Sequence, residues 1–489
     1  MNEHEKSDSA VVPKKPANNA AGAAERVEGR ALTKGNARRQ TPDRTQRRAP
    51  GRHALARIHE AARRDPRQRF TSLLHHVYDV HRLRSAFFSL KRDSAPGDDG
   101  VTWRAYGEGL EDRLQQLSER LRKGSYRAKP AKRAFIPKTD GRQRPIGVPT
   151  LEDKIVQRAM TEVLSAIYEA DFLGFSYGFR PGRSAHGALD GLAVGIPKRN
   201  VNWILDADIR DFFGTLDHDW MIRFLEHRIG DRRVLRLIRK WLRAGVLDRG
   251  KRVRSEKGTI QGGSISPLLA NVYLHYVFDQ WVQRWRHRHA SGTVIVVRYA
   301  DDFVIGFERL DDAERLTAEL RERLQKFGLS LHEDKTKLIE FGPFAAARRR
   351  RRGERRPETF DFLGFTHIAG RTRKGRFVVV RKTSRKRLTA KLREVKETLR
   401  LRFNAPVPEL GAYLRAVLLG HMRYYAVPFN YYAIASFRRQ VREIWHRMLE
   451  RRSERTRIPM RRMDRLESRW LPPCRICHPY PDRRLRVPA

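Results

Sequence analysis

The chain has 489 residues, with 103 Lys or Arg against 56 Asp or Glu, a formal net charge of +47 and a pI near 11.2. So large a positive excess repels itself unless a polyanion neutralises it, so nucleic acid is the expected partner. No apolar run approaches the roughly 20 residues of a membrane-spanning helix, and the start, MNEHEKSDSA, lacks the apolar core of a signal peptide. These features exclude an integral membrane protein and predict a cytoplasmic one.

Residues 1–52 form a basic segment rich in Ala, Arg, Pro and Asn, and the first aromatic residue is Phe70. Such a composition buries too little apolar surface to offset the entropy of ordering, which predicts a disordered arm. Residues 53–132 are predicted to be a helical extension leading into the next domain, because leucines recur at helical spacing through LEDRLQQLSERL.

Strand and helix signals alternate between residues 133 and 370. AFIPK (134–138) and NWILDADI (202–209) have strand composition, whereas 151–172 has helical periodicity. The arginines of 348–352 are predicted to lie in a basic loop. Residues 383–482 are helical and strongly basic, which predicts a second, α-helical domain. The predicted fold class is α+β.

Two cysteines, Cys474 and Cys477, lie in CRICHP near the end of the chain. The spacing matches a haem-attachment pattern and half of a zinc site. Covalent haem attachment requires export, for which no signal is visible, and structural zinc requires four ligands. The sequence therefore predicts neither haem nor zinc.

Carboxylates interrupt two strand-like segments. In RYADDFVIGF (298–307), Asp301 and Asp302 separate two β-branched runs, as in a hairpin with acids at its bend. Taken alone, this is a solvated hairpin tip. Asp208, however, ends an upstream strand. Asp208, Asp301 and Asp302, converging from this strand and the hairpin, would suffice to hold two Mg²⁺ ions for phosphoryl transfer.

Several motifs follow one another in an order typical of one family. They are IPKTDGRQRPIGVPTLEDKIVQRAM (136–160), FSYGFRPGRSAHGAL (175–189), DADIRDFF (206–213), GTIQGGSISPLLANVYL (258–274), YADD (299–302), FGLSLHEDKTKLIEFG (327–342) and FDFLGFTH (360–367). GHMRYYAVPFN (420–430) and RWLPPCRICHPYP (469–481) follow. From about residue 70 nearly to its end, the chain resembles the bacterial group II intron-encoded reverse transcriptase/maturase family.

The resemblance implies a right-hand polymerase. Fingers and palm, with an antiparallel palm sheet, would occupy residues 133–370, and a helical thumb/X (maturase) domain residues 383–482. The implied function is to bind group II intron RNA and assist its splicing, and to copy that RNA into DNA for retrohoming by two-metal nucleotidyl transfer. The implied partners are group II intron RNA, a DNA primer or target and dNTPs. The protein would be associated with the bacterial nucleoid and with ribonucleoprotein, and no membrane is expected.

The resemblance also implies metal ligands. Asp208, Asp301 and Asp302 become the catalytic residues and hold two Mg²⁺ ions, with the carbonyl oxygen of Ile209 as a further ligand. Successive strand residues face opposite sides, so Asp301 and Asp302 can share one site only because they lie at a bend.

A nucleotide-binding set is implied as well, and each member has a structural alternative. The set is Lys138, Arg144, Phe213, Gln261, Gly262 and Lys335. The first two would meet triphosphate charge or would be plain surface charge. Phe213 would crowd a ribose 2′-hydroxyl or pack in the core. Gln261 and Gly262 would let backbone approach the nucleotide or form a helix-entry turn. Lys335 would protonate pyrophosphate or remain solvated.

Basic and aromatic residues interleave in the helical domain. The candidates for RNA contact are Arg415, Arg423, Tyr424, Tyr425, Arg438 and Arg439. Arginines can neutralise phosphates while aromatic rings stack on unpaired bases. The alternative is a pair of amphipathic helices whose tyrosines pack inward.

Three positions depart from the family pattern near the candidate site. Ile260 replaces a usual Pro, and Asp211 and Gly214 stand where Gly and Asp are usual. These departures keep two alternatives open. One is a catalytically weakened copy that acts only as an RNA-binding splicing cofactor. The other is a reverse transcriptase of a retron, a diversity-generating element or a defence system.

Overall fold

A computed structural model describes residues 50–137, 143–248, 251–253, 256–452 and 458–485. The predicted arm lies outside this part of the chain except for its last three residues, which open the first helix, and Lys138 also lies outside it. Within the described ranges, none of the helices has the length and apolar composition needed to cross a membrane.

Eleven strands are described, and they build three sheets. In chain order they are β1 (Ala131–Pro137), β2 (Gln143–Val148), β3 (Trp203–Asp208), β4 (Val246–Asp248), β5 (Lys251–Val253), β6 (Val294–Tyr299), β7 (Asp302–Phe307), β8 (Lys337–Glu340), β9 (Phe360–Phe362), β10 (Phe365–Arg371) and β11 (Phe377–Thr383). The first sheet has the order β2–β1–β4–β5, the central sheet β6–β7–β3–β8, and the third sheet β11–β10–β9.

The helices of the N-terminal part pack into the main core. They are α1 (Pro50–Arg64), α2 (Leu74–Tyr78), α3 (Val80–Ser89), α4 (Trp103–Gly107) and α5 (Leu110–Arg122). In α5, Leu114, Leu117 and Leu121 are buried, as their helical spacing predicts. The helix ends at Arg122, just before Gly124 at a φ of +74°.

Further helices surround the central sheet. They are α6 (Leu151–Asp171), α7 (Ala185–Lys198), α8 (Phe212–Thr215), α9 (His218–Glu226), α10 (Arg232–Ala244), α11 (Ser266–Leu274), a π-helical turn (His275–Asp279), α12 (Gln280–Arg288), α13 (Leu310–Gln325) and α14 (Ala345–Arg351). Side-chain caps begin α6 and α7, since Thr150 and Ser184 accept backbone N–H groups of their first turns.

The central sheet is entirely antiparallel and separates two cores. Leu205 and Phe303 contribute to the larger core with α6 and α11, whereas Ile204 and Val304 face α7 and the third sheet. Burial on both faces explains why β6 and β7 are almost continuously apolar in sequence.

The C-terminal part is helical and has its own core around Leu414 and Trp445. Its helices are α15 (Arg385–Leu401), α16 (Val407–Tyr425), α17 (Tyr431–Glu450), α18 (Met460–Trp470) and α19 (Pro481–Leu485). Helix α19 returns to α7, where Arg484 pairs with the buried Asp190 at 2.8 Å.

One sequence-based prediction is wrong. The arginines predicted to lie in a basic loop belong mostly to helix α14. Glu340, at the end of β8 and 3% exposed, pairs with Arg348 and Arg352. Ala and Arg are both strong helix formers, so the composition is compatible with this helix, and the run of like charges led to the wrong prediction.

Candidate active site

Two candidate carboxylates face each other across neighbouring strands. Asp208, the last residue of β3, pairs in register with Asp302, the first residue of β7. Directly opposed residues of an antiparallel pair project from the same face. Asp206 lies two residues earlier in β3 and therefore shares this face, while Ala207 points into the main core.

The third carboxylate lies at the hairpin turn. Tyr299 and Asp302 are paired, so Ala300 and Asp301 form a two-residue connection between β6 and β7. Ala300 has a φ of +59°, a region that costs a residue with a Cβ about 1–2 kcal/mol. This strained turn carries Asp301 to the edge of the face that holds Asp208 and Asp302.

The crowding of these acids changes their titration. Desolvation by the surrounding chain and repulsion from Asp301, Asp208 and Asp206 raise the pKa of Asp302 to about 7, although the residue is exposed to solvent. Burial also raises the pKa of Asp301, with the charge of Asp208 adding to the effect. Uncompensated negative charge of this kind favours binding of a cation.

A cation from the chain already reaches this cluster. The Lys335 ammonium donates a hydrogen bond to Asp208 Oδ2. Lys335 ends a single 3₁₀ turn (Glu333–Lys335), which is fastened to β3 because the His332 N–H donates to the Asp208 carbonyl at 2.8 Å.

The same strand contact orients the next carbonyl. Ile209 lies opposite Leu331 in an isolated antiparallel bridge, whose hydrogen bonds use the Asp208 carbonyl and the Arg210 N–H. Successive carbonyls of a strand point to opposite edges, so the Ile209 carbonyl points away from Leu331, toward the β6–β7 hairpin.

The donor set agrees with magnesium chemistry in an open site. Within the ranges that the structure describes, no three His, Cys, Asp or Glu side chains are gathered so as to hold a metal ion by themselves. Mg²⁺ prefers one or two carboxylates and completes its coordination with water and substrate phosphates. Asp208, Asp302 and Asp301 present hard oxygen donors whose mutual repulsion a divalent cation would relieve.

Two further nucleotide-binding candidates, Arg144 and Phe213, differ in their exposure. Arg144 is exposed on β2, and its charge acts on Asp301 by lowering that residue's otherwise raised pKa. Phe213 is half-buried in α8 beside the buried Phe212, with ring centres 5.4 Å apart. One edge of Phe213 therefore belongs to the core and the remainder is accessible.

The loop before α11 packs directly on β2. The Gly147 N–H donates to the Gln261 carbonyl at 2.7 Å. A Cβ on Gly147 would lie 2.3 Å from the Ile260 methyl Cγ2, and a Cβ on Gly262 would lie 2.5 Å from the Gly147 carbonyl oxygen. Gly262 also has a φ of +116°. Both glycines are therefore required for this close approach.

The RNA-contact candidates divide between surface and interior. Arg415, Arg423 and Arg439 are exposed. Tyr424 is 7% exposed and donates its hydroxyl to the Leu363 carbonyl, so its ring is not available for base stacking. The remaining two, Tyr425 and Arg438, are half-buried. Arg438 bonds Glu467 and the carbonyls of Leu471 and Pro472.

Sequence reasoning missed one group of aromatic residues and one buried arginine. The exposed aromatic residues of the C-terminal part are Phe429, Tyr431, Tyr432 and Tyr480, and Tyr432 is 87% exposed. The other missed residue is Arg298, a charged residue in the apolar strand β6, with none of its surface exposed. A lone arginine within TVIVVRY was the available signal for it.

Comparisons with known proteins identify several relatives of the chain. A family model described as reverse transcriptase (RNA-dependent DNA polymerase) matches residues 136–367. Protein YkfC of Escherichia coli (strain K12) is 33% identical over 349 residues, which cover 65% of this chain and 88% of that protein. Group II intron-encoded protein LtrA of Lactococcus lactis subsp. cremoris is 30% identical over 272 residues, 55% of this chain and 41% of LtrA. Nuclear intron maturase 1, mitochondrial, of Arabidopsis thaliana is 28% identical over 114 residues, 23% of this chain and 16% of that protein.

Proposed function

The chain belongs to the family of group II intron reverse transcriptases and maturases, and we propose that its central sheet is the catalytic palm of an RNA-directed DNA polymerase. The observation that carries this assignment is the register of Asp208 against Asp302, with Asp301 at the adjoining turn. On this assignment the first sheet belongs to the fingers and residues 383–482 are the thumb/X domain.

The face of the central sheet that carries Asp208 and Asp302, called the acidic face below, would hold the metals of the reaction. Asp208, Asp301, Asp302 and the carbonyl oxygen of Ile209 are the ligands that we assign to two Mg²⁺ ions. Such a pair of ions activates an attacking hydroxyl and stabilises a leaving pyrophosphate. The chain contributes the fixed spacing of the ligands, because two of them belong to hydrogen-bonded neighbouring strands.

Residues around this face would bind and orient the incoming dNTP. Arg144, and Lys138 outside the described residues, would neutralise triphosphate charge. Gln261 and Gly262 bring backbone close to β2 and leave no room for a side chain there. The accessible edge of Phe213 would oppose a ribose 2′-hydroxyl. The Lys335 ammonium would be the proton donor to pyrophosphate.

The helical C-terminal part would bind intron RNA. Exposed Arg415, Arg423 and Arg439 offer positive charge, and exposed Tyr431 and Tyr432 offer ring faces on which unpaired bases can stack. Binding the folded RNA in preference to the unfolded RNA would stabilise the splicing-competent structure by mass action. Buried Tyr424 is left out of this surface.

The departures from the family pattern fit their surroundings. A Cβ on Gly214 would lie 2.3 Å from Asp211 Oδ2, so the exchange of residue types at these positions is mutually compatible. Ile260 fills the space that Gly147 leaves. None of these departures replaces a carboxylate of the acidic face. This favours a working polymerase over a splicing cofactor without catalytic activity.

Primer extension on an RNA template with Mg²⁺ and dNTPs tests the proposal. We expect Asp301→Ala to abolish extension while binding of intron RNA remains within about twofold of wild type, because the carboxylate lies apart from the RNA surface. Asp334→Ala, which removes an acid whose side chain is 94% exposed nearby, is the matched control and should extend normally. Extension by Asp301→Ala at the wild-type rate would refute the assignment.

A further inference from the structure

Arg298 is a buried cation in the β6–β7 hairpin, two residues before Ala300 of the turn. It occupies strand β6, whose residues Val294–Val297 are apolar, and none of its surface is exposed. A buried guanidinium is strongly unfavourable unless it is paired and fully hydrogen-bonded. Its presence in a strand where an aliphatic residue would pack therefore requires an explanation.

All five N–H donors of Arg298 have acceptors. Its Nε and Nη2 donate to Asp279 Oδ1 and Oδ2 at 2.7 and 2.5 Å, forming a two-pronged ion pair. Nη2 also donates to Ser176 Oγ at 2.7 Å, and Nη1 donates to Asn271 Oδ1 at 3.1 Å. The remaining Nη1 proton goes to the carbonyl oxygen of Ala300 at 2.8 Å.

The bond to Ala300 acts on the turn itself. The Ala300 carbonyl belongs to the peptide that joins Ala300 to Asp301, so holding this oxygen fixes the plane of that peptide. Ala300 has a φ of +59°, a strained conformation that persists only where the surroundings enforce it. Arg298 supplies such a constraint from inside the protein.

A second element restrains the other side of the turn. A Cβ on Gly178 would lie 2.3 Å from the Ala300 backbone nitrogen, so the two backbones are in direct contact. Asn271 donates its side-chain N–H to the Gly178 carbonyl at 2.7 Å and also accepts from Arg298. The turn is therefore confined between Gly178 and the Arg298 guanidinium.

The counter-ion comes from an unusual backbone segment. Asp279 ends the π-helical turn between α11 and α12. Such turns are rare and occur often at functional sites, because the inserted residue redirects side chains. Here the turn delivers a fully buried carboxylate to Arg298.

We propose that Arg298 is a positioning residue that holds the Ala300–Asp301 peptide, and with it the Asp301 carboxylate, in the geometry used for catalysis. This inference rests on the proposed polymerase function. A lysine could not replace Arg298, because an ammonium has three donors without the planar fork that reaches Asp279 and Ala300 together.

A double substitution separates positioning from stability. Replacing a buried ion pair by apolar residues of similar size often preserves stability, so R298M combined with D279L should fold. It would leave the Ala300 carbonyl without its donor. The matched control is R228M with D171L, which removes a buried arginine that pairs with Asp171 at 3.0 Å and bonds the carbonyls of Ala62, Asp65 and Gln68 elsewhere in the fold.

Two readouts are compared. The first is hydrogen exchange of the peptide containing residues 299–302 in the metal-free protein, which does not depend on polymerase activity. We expect exchange to rise about tenfold or more in R298M/D279L and to remain at the wild-type level in the control. The second is primer extension, where kcat should fall about a hundredfold while KM for dNTP and RNA affinity stay within about twofold.

The outcomes distinguish the two proposals. Wild-type exchange and wild-type kcat in R298M/D279L would overturn the role of Arg298. Raised exchange in a protein whose wild type extends no primers would support positioning of the turn and refute the polymerase assignment. If R298M/D279L does not fold, R298K replaces it, and the same increase in exchange at residues 299–302 is expected.

Discussion

The Lys335 ammonium donates a hydrogen bond to Asp208 Oδ2, a carboxylate that we assign to the metal ions. Both side chains are partly accessible, 54% for Lys335 and 23% for Asp208. An ion pair this open contributes little stability, since solvent screens it. The contact is therefore readily exchanged for a divalent cation, and Lys335 remains close to the site where pyrophosphate would leave.

Replacing Lys335 by Gln should separate its competition with Mg²⁺ at Asp208 from its proposed donation of a proton to pyrophosphate. Mg²⁺ affinity should rise about twofold to fivefold, because no ammonium competes for Asp208. Turnover should fall at least about a hundredfold, because the proton donor is lost. Thermal shifts with increasing Mg²⁺ and single-turnover extension measure the two effects. Lys326→Gln, at an exposed position, is the control, and an unchanged turnover of Lys335→Gln would contradict the proton-donor role.

Phe213→Val tests the discrimination between dNTPs and ribonucleotides. A smaller side chain would leave room for the 2′-hydroxyl, so the ratio of ribonucleotide to deoxynucleotide kcat/KM should rise about tenfold or more. Phe212→Val is the control, because Phe212 is 2% exposed and packs in the core. It should lower Tm without changing the ratio. If Phe213→Val and Phe212→Val both keep the wild-type ratio of ribonucleotide to deoxynucleotide kcat/KM, Phe213 acts only in packing of the core.

The elements with strong periodicity could be predicted from the sequence. Apolar runs identified β3, β6 and β7, and the long helix α6 was predicted to within a residue at its end. Helix α14 was missed because a run of five arginines was interpreted as a loop, although Ala and Arg favour helix and Glu340 of β8 pairs with two of these arginines. Tyr424 follows the alternative in which tyrosines pack inward, and the sequence could not decide this because helical spacing does not identify the face that meets another sheet.

The sequence indicated the residue types of the candidate site but not the contacts that support them. Acids interrupt strand-forming runs at Asp208, Asp301 and Asp302, and only the resemblance distinguishes them from a solvated hairpin tip. The register that opposes Asp208 to Asp302 depends on pairing between strands far apart in the chain. Ser176 lies far from Asn271 and Asp279, which belong to α11 and the π-helical turn that continues it, so no local pattern brings these partners of Arg298 together.

Asp211 and Gly214 should show coupled effects on stability. Gly214→Ala places a Cβ 2.3 Å from Asp211 Oδ2 and 2.8 Å from its Cγ, which should cost about 1 kcal/mol because the exposed Asp211 carboxylate must turn aside. Asp211→Gly removes the carboxylate that this Cβ would meet and relieves a strained φ of +42°. In the variant that carries both substitutions, most of the stability lost by Gly214→Ala should therefore be recovered.

Chemical denaturation of wild type, both single variants and the double variant completes this cycle. We expect a coupling free energy of about 1 kcal/mol, because residues in contact are not additive. Additive changes would indicate that the Asp211 side chain moves aside without cost.

Buried histidines should make the fold sensitive to acid. Burial, with a contribution from the Arg381 charge, lowers the pKa of His367 to about 3, and burial, with a contribution from Lys391, lowers that of His421 to about 3. In the unfolded chain each titrates near 6.5. Below that pH the unfolded state binds protons that the folded state refuses, so stability is lost as pH falls from about 6.5 toward 3.

Replacing His367 by Phe should therefore reduce the loss of Tm between pH 7.5 and pH 5.5. At pH 5.5 each buried histidine should lower the free energy of unfolding by about 1 kcal/mol. His367→Phe removes one of these two losses. The new ring would stack on Phe360, whose centre lies 4.6 Å from the His367 ring at an angle of 7°. His289→Gln is the control, because His289 is exposed and its replacement should leave the pH dependence of Tm unchanged. Parallel Tm profiles for wild type and His367→Phe across this range would show that His367 accepts a proton in the folded protein.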